Sequence, residues 1–169
     1  MGWLRKSRPL IVIVCTANIT RSPYFAGRLQ LELEQSGIPK HNMPEILSAG
    51  VAATNGVAAH PVMQTVAHLR GFSLGSHQAQ RFDRELADRS SLVLTMEERH
   101  ANQIKQEFPD IADRIFPMLG YGRETEYDGP LDVHDPTGGE VEEYETYANI
   151  ADAQAQRLRR YFKKNSGVI

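Results

Sequence analysis

Cys15-Thr16-Ala17-Asn18-Ile19-Thr20-Arg21-Ser22-Pro23 carries a nucleophile and a permanently charged fork at the two ends of one short run. Five residues separate the cysteine from the arginine. That length of backbone can curl round one phosphoryl group, with loop N–H groups on its equatorial oxygens and the Arg21 fork bidentate to two of them. Lysine, a point charge, would not be equivalent. A thiolate at the floor of such a cradle can attack phosphorus and form a phosphocysteine, which splits one slow hydrolysis into two easier steps. Ser22, next to the arginine, is placed to donate a hydrogen bond to the sulfur. A lone cysteine at the end of a buried strand is commonly just a small apolar residue. Here the loop length, Arg, Ser and Pro follow it in the order that phosphoryl transfer requires.

The flanking elements account for the position of the loop. Leu10–Val14 is a short, β-branched apolar run without helical periodicity and reads as a strand. Ser22 reads as the cap of a following helix, with Pro23 as its first residue. The loop is thus expected at the carboxyl end of a strand and beneath a helix N-terminus, where converging N–H groups and the helix dipole favour an anion.

Phosphoryl transfer also needs an acid for the leaving oxygen and then a base for the attacking water. The segment Asp132-Val133-His134-Asp135-Pro136-Thr137-Gly138-Gly139 offers Asp135 as the best candidate, because Pro136 stiffens the backbone beside its carboxyl. Asp132 and His134 are rivals for the role, and an isolated Asp-Pro is more commonly a turn start.

Along the chain, strands alternate with helices. Helices are expected over Pro23–Ser36, Pro61–Arg70, Asp83–Asp88, Glu97–Phe108 and Val141–Lys164, and further strands over Glu45–Ala49, Ser91–Leu94 and Ile115–Met118. Leu119–Gly139 reads as loop. Four strands separated by helical crossovers imply an α/β fold in three layers, a four-stranded parallel sheet flanked by helices, with ligands beyond the carboxyl ends of the strands. That is where Cys15 falls.

With 169 residues, 41% of them hydrophobic and 24% charged, residues 1–169 read as one domain with an adequate core. A net charge of −2 gives no general attraction to nucleic acid, and Arg157, Arg159, Arg160, Lys163 and Lys164 are the cations expected in the last turns of a helix. The single cysteine excludes an internal disulfide and suits a reducing compartment. Arg5, Lys6 and Arg8 precede an apolar stretch too short for a secretory signal, and a cytoplasmic protein without membrane attachment is expected. No metal-ligand spacing occurs, so neither metal nor cofactor is expected.

Taken together, these motifs resemble those of the bacterial low-molecular-weight protein tyrosine phosphatases, over nearly the whole chain. The family signature is Cys, five residues and Arg-Ser near the N-terminus, with Asp-Pro near the C-terminus. Weaker landmarks match too: Asn18 in the loop, Ser48-Ala49-Gly50 after the second strand, His77 after the second helix, and Leu94-Thr95-Met96-Glu97 at the end of the third strand. The resemblance implies that Cys15 is the nucleophile, Arg21 the phosphate clamp, and Asp135 the acid and then the base. It implies that Thr16, Ala17, Asn18, Ile19 and Thr20 complete the phosphate loop, and that Asn18, Ser22, Ser48 and His77 support its strained shape. Taken alone, His77 reads equally well as an ordinary surface histidine.

Departures from the family bear on the substrate. Ala17 stands where the family commonly has Gly, which is tolerable if its φ stays negative. Thr20 replaces a second cysteine found in many members. Thr137-Gly138-Gly139 and Ala53-Thr54-Asn55 stand where cleft aromatics are usual, so a phosphotyrosine ring would find less stacking surface. Gly-Gly after Asp-Pro-x is similar to the phosphoarginine phosphatases of the same fold, whereas Ile19 is the tyrosine-phosphatase choice at a position where those enzymes have Thr. The expectation is a phosphomonoesterase acting on phosphotyrosine-containing protein, with a tyrosine kinase as a candidate partner. Phosphoarginine is the alternative substrate, and a phosphopeptide-binding module without turnover the alternative class. Arsenate reduction is disfavoured, since it relays electrons through further cysteines.

Overall fold

A computed structural model describes residues 8–123 and 125–165. Four parallel strands, β1 (Leu10–Cys15), β2 (Glu45–Gly50), β3 (Ser90–Thr95) and β4 (Ile115–Pro117), form one sheet in the order β2-β1-β3-β4. β1 has no solvent-facing side. Ile11, Ile13 and Cys15 enter the core on one face of the sheet, and Leu10, Val12 and Val14 enter the core on the other. This explains why its sequence is continuously apolar rather than alternating.

Helices α1 (Arg21–Glu34), α2 (Pro61–Leu69) and α5 (Val141–Lys164) supply the first of these cores with Tyr24, Phe25, Leu29, Met63, Tyr147 and Leu158. Helices α3 (Arg84–Arg89) and α4 (Glu98–Glu107) supply the second, with Leu86, Ile104 and neighbouring Phe108. α1 and α5 run side by side in the same direction. Tyr147 donates to the Arg21 carbonyl at 2.6 Å, Tyr24 to Asp152 at 2.8 Å, and Arg159 pairs with Glu32 at 3.0 Å. Arg157 donates to the carbonyls of Met118 and Tyr121. Two members of the C-terminal basic cluster therefore serve internal packing. No described helix is long and apolar enough to cross a membrane.

Strand order reverses at β1, whose chain leaves towards β2 and returns to β3 on the other side. In open α/β sheets the crevice for a ligand lies at such a point. Cys15 stands there, in register with Gly50.

Several element ends differ from the sequence expectation by one or two residues, and three differences bear on the site. α1 begins at Arg21 with Thr20 as its cap residue, two positions before the expected Pro23. Proline is tolerated anywhere in a first turn, where its N–H is not needed, so it does not mark one start. Ser22 does not cap the helix, because its hydroxyl is held among Cys15, Asn18 and Ala49. Ser48-Ala49-Gly50 are the last residues of β2 rather than residues beyond it.

Candidate active site

From Cys15 to Arg21 the chain turns through a loop whose Cys15, Thr16, Asn18 and Ile19 carbonyls are held by neighbouring segments. The Cys15 and Thr16 carbonyls accept from Val51 and Ala52 N–H at 3.0 and 2.9 Å, and the Ile19 carbonyl accepts from His60 N–H at 2.8 Å. His77 Nε2 lies 2.7 Å from the Asn18 carbonyl, which can only accept, so that nitrogen carries the proton. The N–H groups of Ala17, Ile19 and Thr20 have no acceptor among the described residues. Carbonyls tied to neighbouring segments beside N–H groups left without an acceptor suit an anion nest. Gly50 permits this closeness, since a Cβ there would lie 2.4 Å from the Thr16 carbonyl oxygen.

The bend needs one left-handed residue, and it is Asn18 at φ 57°, the one described non-glycine residue with positive φ. Ala17 thus meets the condition set for it. Asparagine tolerates this conformation better than most residues, and its amide is fully engaged. Nδ2 donates to Ser22 Oγ at 2.8 Å and Ser48 Oγ at 2.9 Å, while Oδ1 accepts from Gln80 N–H at 2.9 Å. Asn18 N–H points back to the Cys15 sulfur at 3.3 Å, and Ser22 Oγ lies 3.0 Å from the same sulfur. A thiolate can only accept, so Asn18 N–H stabilises it, and Ser22 does so when its single proton turns from the Ala49 carbonyl to the sulfur.

Arg21 is 1% exposed, and its fork is divided. NH1 donates to Glu97 Oε1 at 2.6 Å and to the Val133 carbonyl at 2.7 Å, and NH2 meets Asp135 Oδ2 at 2.8 Å. Nε has no partner. The expected purely bidentate clamp is therefore narrowed to the Nε–NH2 edge, because NH1 is spent on orienting the side chain.

Glu97 and His100 belong to the same network. Burial pushes the Glu97 carboxyl up, but hydrogen bonds from the Arg99 and Arg21 guanidiniums outweigh it and bring it to about 2. Burial lowers His100 to about 4 against the pull of Glu97, so its ring is neutral at pH 7, with Nε2 2.9 Å from Thr16 Oγ1. Sequence reasoning noted Glu97 only as a landmark and missed His100. Glu97 could have been found from its position just beyond the carboxyl end of a central strand.

Of the three acid candidates, only Asp135 stands beside Arg21. Its side chain is 40% exposed, and its Oδ1 accepts from Thr137 N–H at 3.1 Å and from the Thr137 hydroxyl at 2.7 Å. Asp132 instead accepts from Glu98 N–H at 2.7 Å, at the start of α4. His134 is 79% exposed and faces Glu143. Val133 N–H to the Met96 carbonyl and Gly138 N–H to the Tyr144 hydroxyl fix the segment on either side of Asp135. Tyr144 itself is buried and stacked on His60 with ring centroids 5.1 Å apart. Among the described residues no group of three His, Cys, Asp or Glu side chains could hold a metal ion.

A phosphoryl group in this nest would have the sulfur beneath it, the Arg21 edge beside it and a carboxyl at the open side, as nucleophilic attack with proton transfer to a leaving oxygen requires. The family model described as low molecular weight phosphotyrosine protein phosphatase matches residues 10–167. A protein-arginine-phosphatase of Geobacillus stearothermophilus is 30% identical over 148 residues, covering 88% of this chain and 92% of the relative. The low molecular weight protein-tyrosine-phosphatase Wzb of Escherichia coli strain K12 is 30% identical over 126 residues, 75% of this chain and 76% of its own. The crystal structure of a YwlE mutant from Bacillus subtilis superposes with a TM-score of 0.82 at 26% identity, covering 92% of this chain and 99% of that one.

Proposed function

The chain belongs to the low molecular weight phosphotyrosine protein phosphatase family, whose members are phosphoric monoester hydrolases, and from that premise we propose that it hydrolyses phosphotyrosine in protein through a phosphocysteine intermediate. Cys15 Sγ attacks phosphorus, and the P–O bond to the phenol breaks as the Asp135 carboxyl protonates the leaving oxygen. Asp135, now a carboxylate, takes a proton from the water that attacks the phosphocysteine. Inorganic phosphate leaves and the thiolate is restored. Arg21 and the loop N–H groups offset charge on the equatorial oxygens throughout. The reaction calls for no cofactor.

The observation that carries this reading is the 2.8 Å contact of Asp135 Oδ2 with Arg21, the residue that closes the loop begun by Cys15. A proton donor, a phosphate clamp and a nucleophile so arranged serve monoester cleavage. Half-buried Ile19 supports tyrosine as the substrate residue. A phenyl ring packs against a branched apolar side chain, whereas guanidinium N–H groups placed there would lose water without gaining an acceptor.

Phosphoarginine is the second reading, favoured by Thr137-Gly138-Gly139, which offer no aromatic wall, and by a relative named protein-arginine-phosphatase. Turnover of matched phosphotyrosine, phosphoserine and phosphoarginine peptides tests both. Preference for phosphotyrosine is expected, preference for phosphoarginine installs the second reading, and no turnover leaves a binding module. A cytoplasmic domain acting on the phosphoprotein product of a tyrosine kinase is the setting that fits its single free thiol.

A further inference from the structure

Asp135 has two oxygens in different surroundings, and the difference is made by a residue outside the family signature. Oδ1 accepts two bonds from Thr137, from its N–H at 3.1 Å and its hydroxyl at 2.7 Å, while Oδ2 faces Arg21. The Thr137 hydroxyl also lies 2.8 Å from Thr20 Oγ1, in the phosphate loop. Hydrogen counting gives this chain a direction. The Thr137 hydroxyl faces two acceptors, Asp135 Oδ1 and Thr20 Oγ1, with a single proton to give; a carboxylate can only accept, so that proton goes to Oδ1, and the buried Thr20 hydroxyl must turn to supply the proton between the two threonines. The sequence runs from Thr20 through Thr137 to Asp135.

We infer that Thr20 and Thr137 are positioning residues for the acid, a two-hydroxyl relay that commits Asp135 Oδ1 to accepting and leaves Oδ2 as the oxygen that carries the proton to the leaving group. Oδ1 takes two donors from Thr137 and Oδ2 one, from Arg21 NH2, so the protonated carboxyl is carbonyl-like at Oδ1 and its O–H is Oδ2, on the side of Arg21. Backbone bonds at Val133 and Gly138 place the segment, but they do not set the Asp135 rotation. Thr137 does, and through Thr20 it ties that rotation to the loop that holds the phosphate. Hydrogen bonds in series reinforce one another, so removing either hydroxyl weakens the pair. At position 20 this chain has a hydroxyl where many relatives are expected to have a thiol, a far weaker partner.

The inference rests on Asp135 being the acid, and the test separates the two. kcat and KM are measured for phenyl phosphate, with a poor leaving group, and for p-nitrophenyl phosphate, with a good one. In Thr137→Val the ratio of kcat/KM values, p-nitrophenyl over phenyl, should rise about tenfold, because kcat/KM reports the steps up to loss of the leaving group, apart from the phosphocysteine hydrolysis common to both substrates, and only the poor leaving group needs the proton there. Thr137→Ser should return the ratio to within about twofold of wild type, since it restores the donor. Thr20→Val should raise the ratio in the same direction, and Thr20→Val combined with Thr137→Val should be no worse than Thr137→Val alone. An unchanged ratio in Thr137→Val, failure of serine to rescue, or additive effects would each overturn the relay. Asp135→Asn is the control: if it raises the ratio and Thr137→Val does not, the acid stands and the relay falls. If Asp135→Asn leaves the ratio unchanged, both fall. Vanadate binding by each variant reports that the loop is intact.

Discussion

Replacing Asn18 with alanine removes the keystone of the loop, and the cost can be worked from its bonds. The side chain makes three hydrogen bonds, to Ser22 Oγ, Ser48 Oγ and Gln80 N–H, the first two buried and the third partly so. Each contributes about 1 kcal/mol net, so their loss costs about 3 kcal/mol. Alanine at φ 57° would add about 1 kcal/mol of left-handed strain that asparagine partly escapes. The expected total of about 4 kcal/mol corresponds to a fall in Tm of about 8–16 °C for a chain of this size. Ser48→Ala removes one of the same bonds and should cost about 1 kcal/mol. Because the two residues share that bond, the double variant should be less destabilised than the sum of the singles. Urea unfolding of the three variants measures this, and vanadate affinity reports the loop, which should weaken in Asn18→Ala far more than in Ser48→Ala. An Asn18→Ala protein within about 1 kcal/mol of wild type, with unchanged vanadate affinity, would refute the reasoning: the nest would then hold its shape without the brace.

Two further outcomes follow from the site. If Cys15 attacks phosphorus, Cys15→Ser should abolish turnover while phosphate or vanadate binding stays measurable by calorimetry, since the loop N–H groups and Arg21 remain; near-native turnover would remove Cys15 from the mechanism. Acid sensitivity should have two sources, because His100 and Glu97 both have folded-state pKa values below their unfolded ones, so each contributes stability that is lost as pH falls. His100 acts between about 6.5 and 4, and Glu97 between about 4.5 and 2. His100→Gln should flatten the fall in unfolding free energy between pH 6.5 and 4.5, an effect of up to about 3 kcal/mol from its shift, and an unchanged slope there would count against the buried neutral ring.

Much of the fold was legible because its signals are local. β1 reads as a strand from five consecutive apolar residues, Leu10–Val14, and the structure adds that the run is buried on both faces of the sheet. The start of α1 was not legible. Pro23 fits several first-turn positions, and the hydroxyl that would mark Ser22 as a cap is claimed by Cys15 and Ala49, contacts that no local pattern encodes.

The candidate site divides along the same line. Cys15, the five loop residues, Arg21 and Ser22 are contiguous, so their order alone sets a nucleophile and a cation at the two ends of a phosphate-sized loop. Residue type and spacing were sufficient for that much. Pro136 and the Asp-Pro pattern favoured Asp135 over Asp132 and His134 in the sequence, but its contact with Arg21 is a tertiary matter, since all three carry suitable groups within four residues and only folding turns one towards Arg21. So was the orientation of Arg21, which depends on Glu97 and on a carbonyl 112 residues away, and so was the link from Thr20 to Thr137. A chain's local order limits which groups its turns can present, but a proton donor must lie within about 3 Å of its partner, and across such separations only the packed sheet and helices determine that distance.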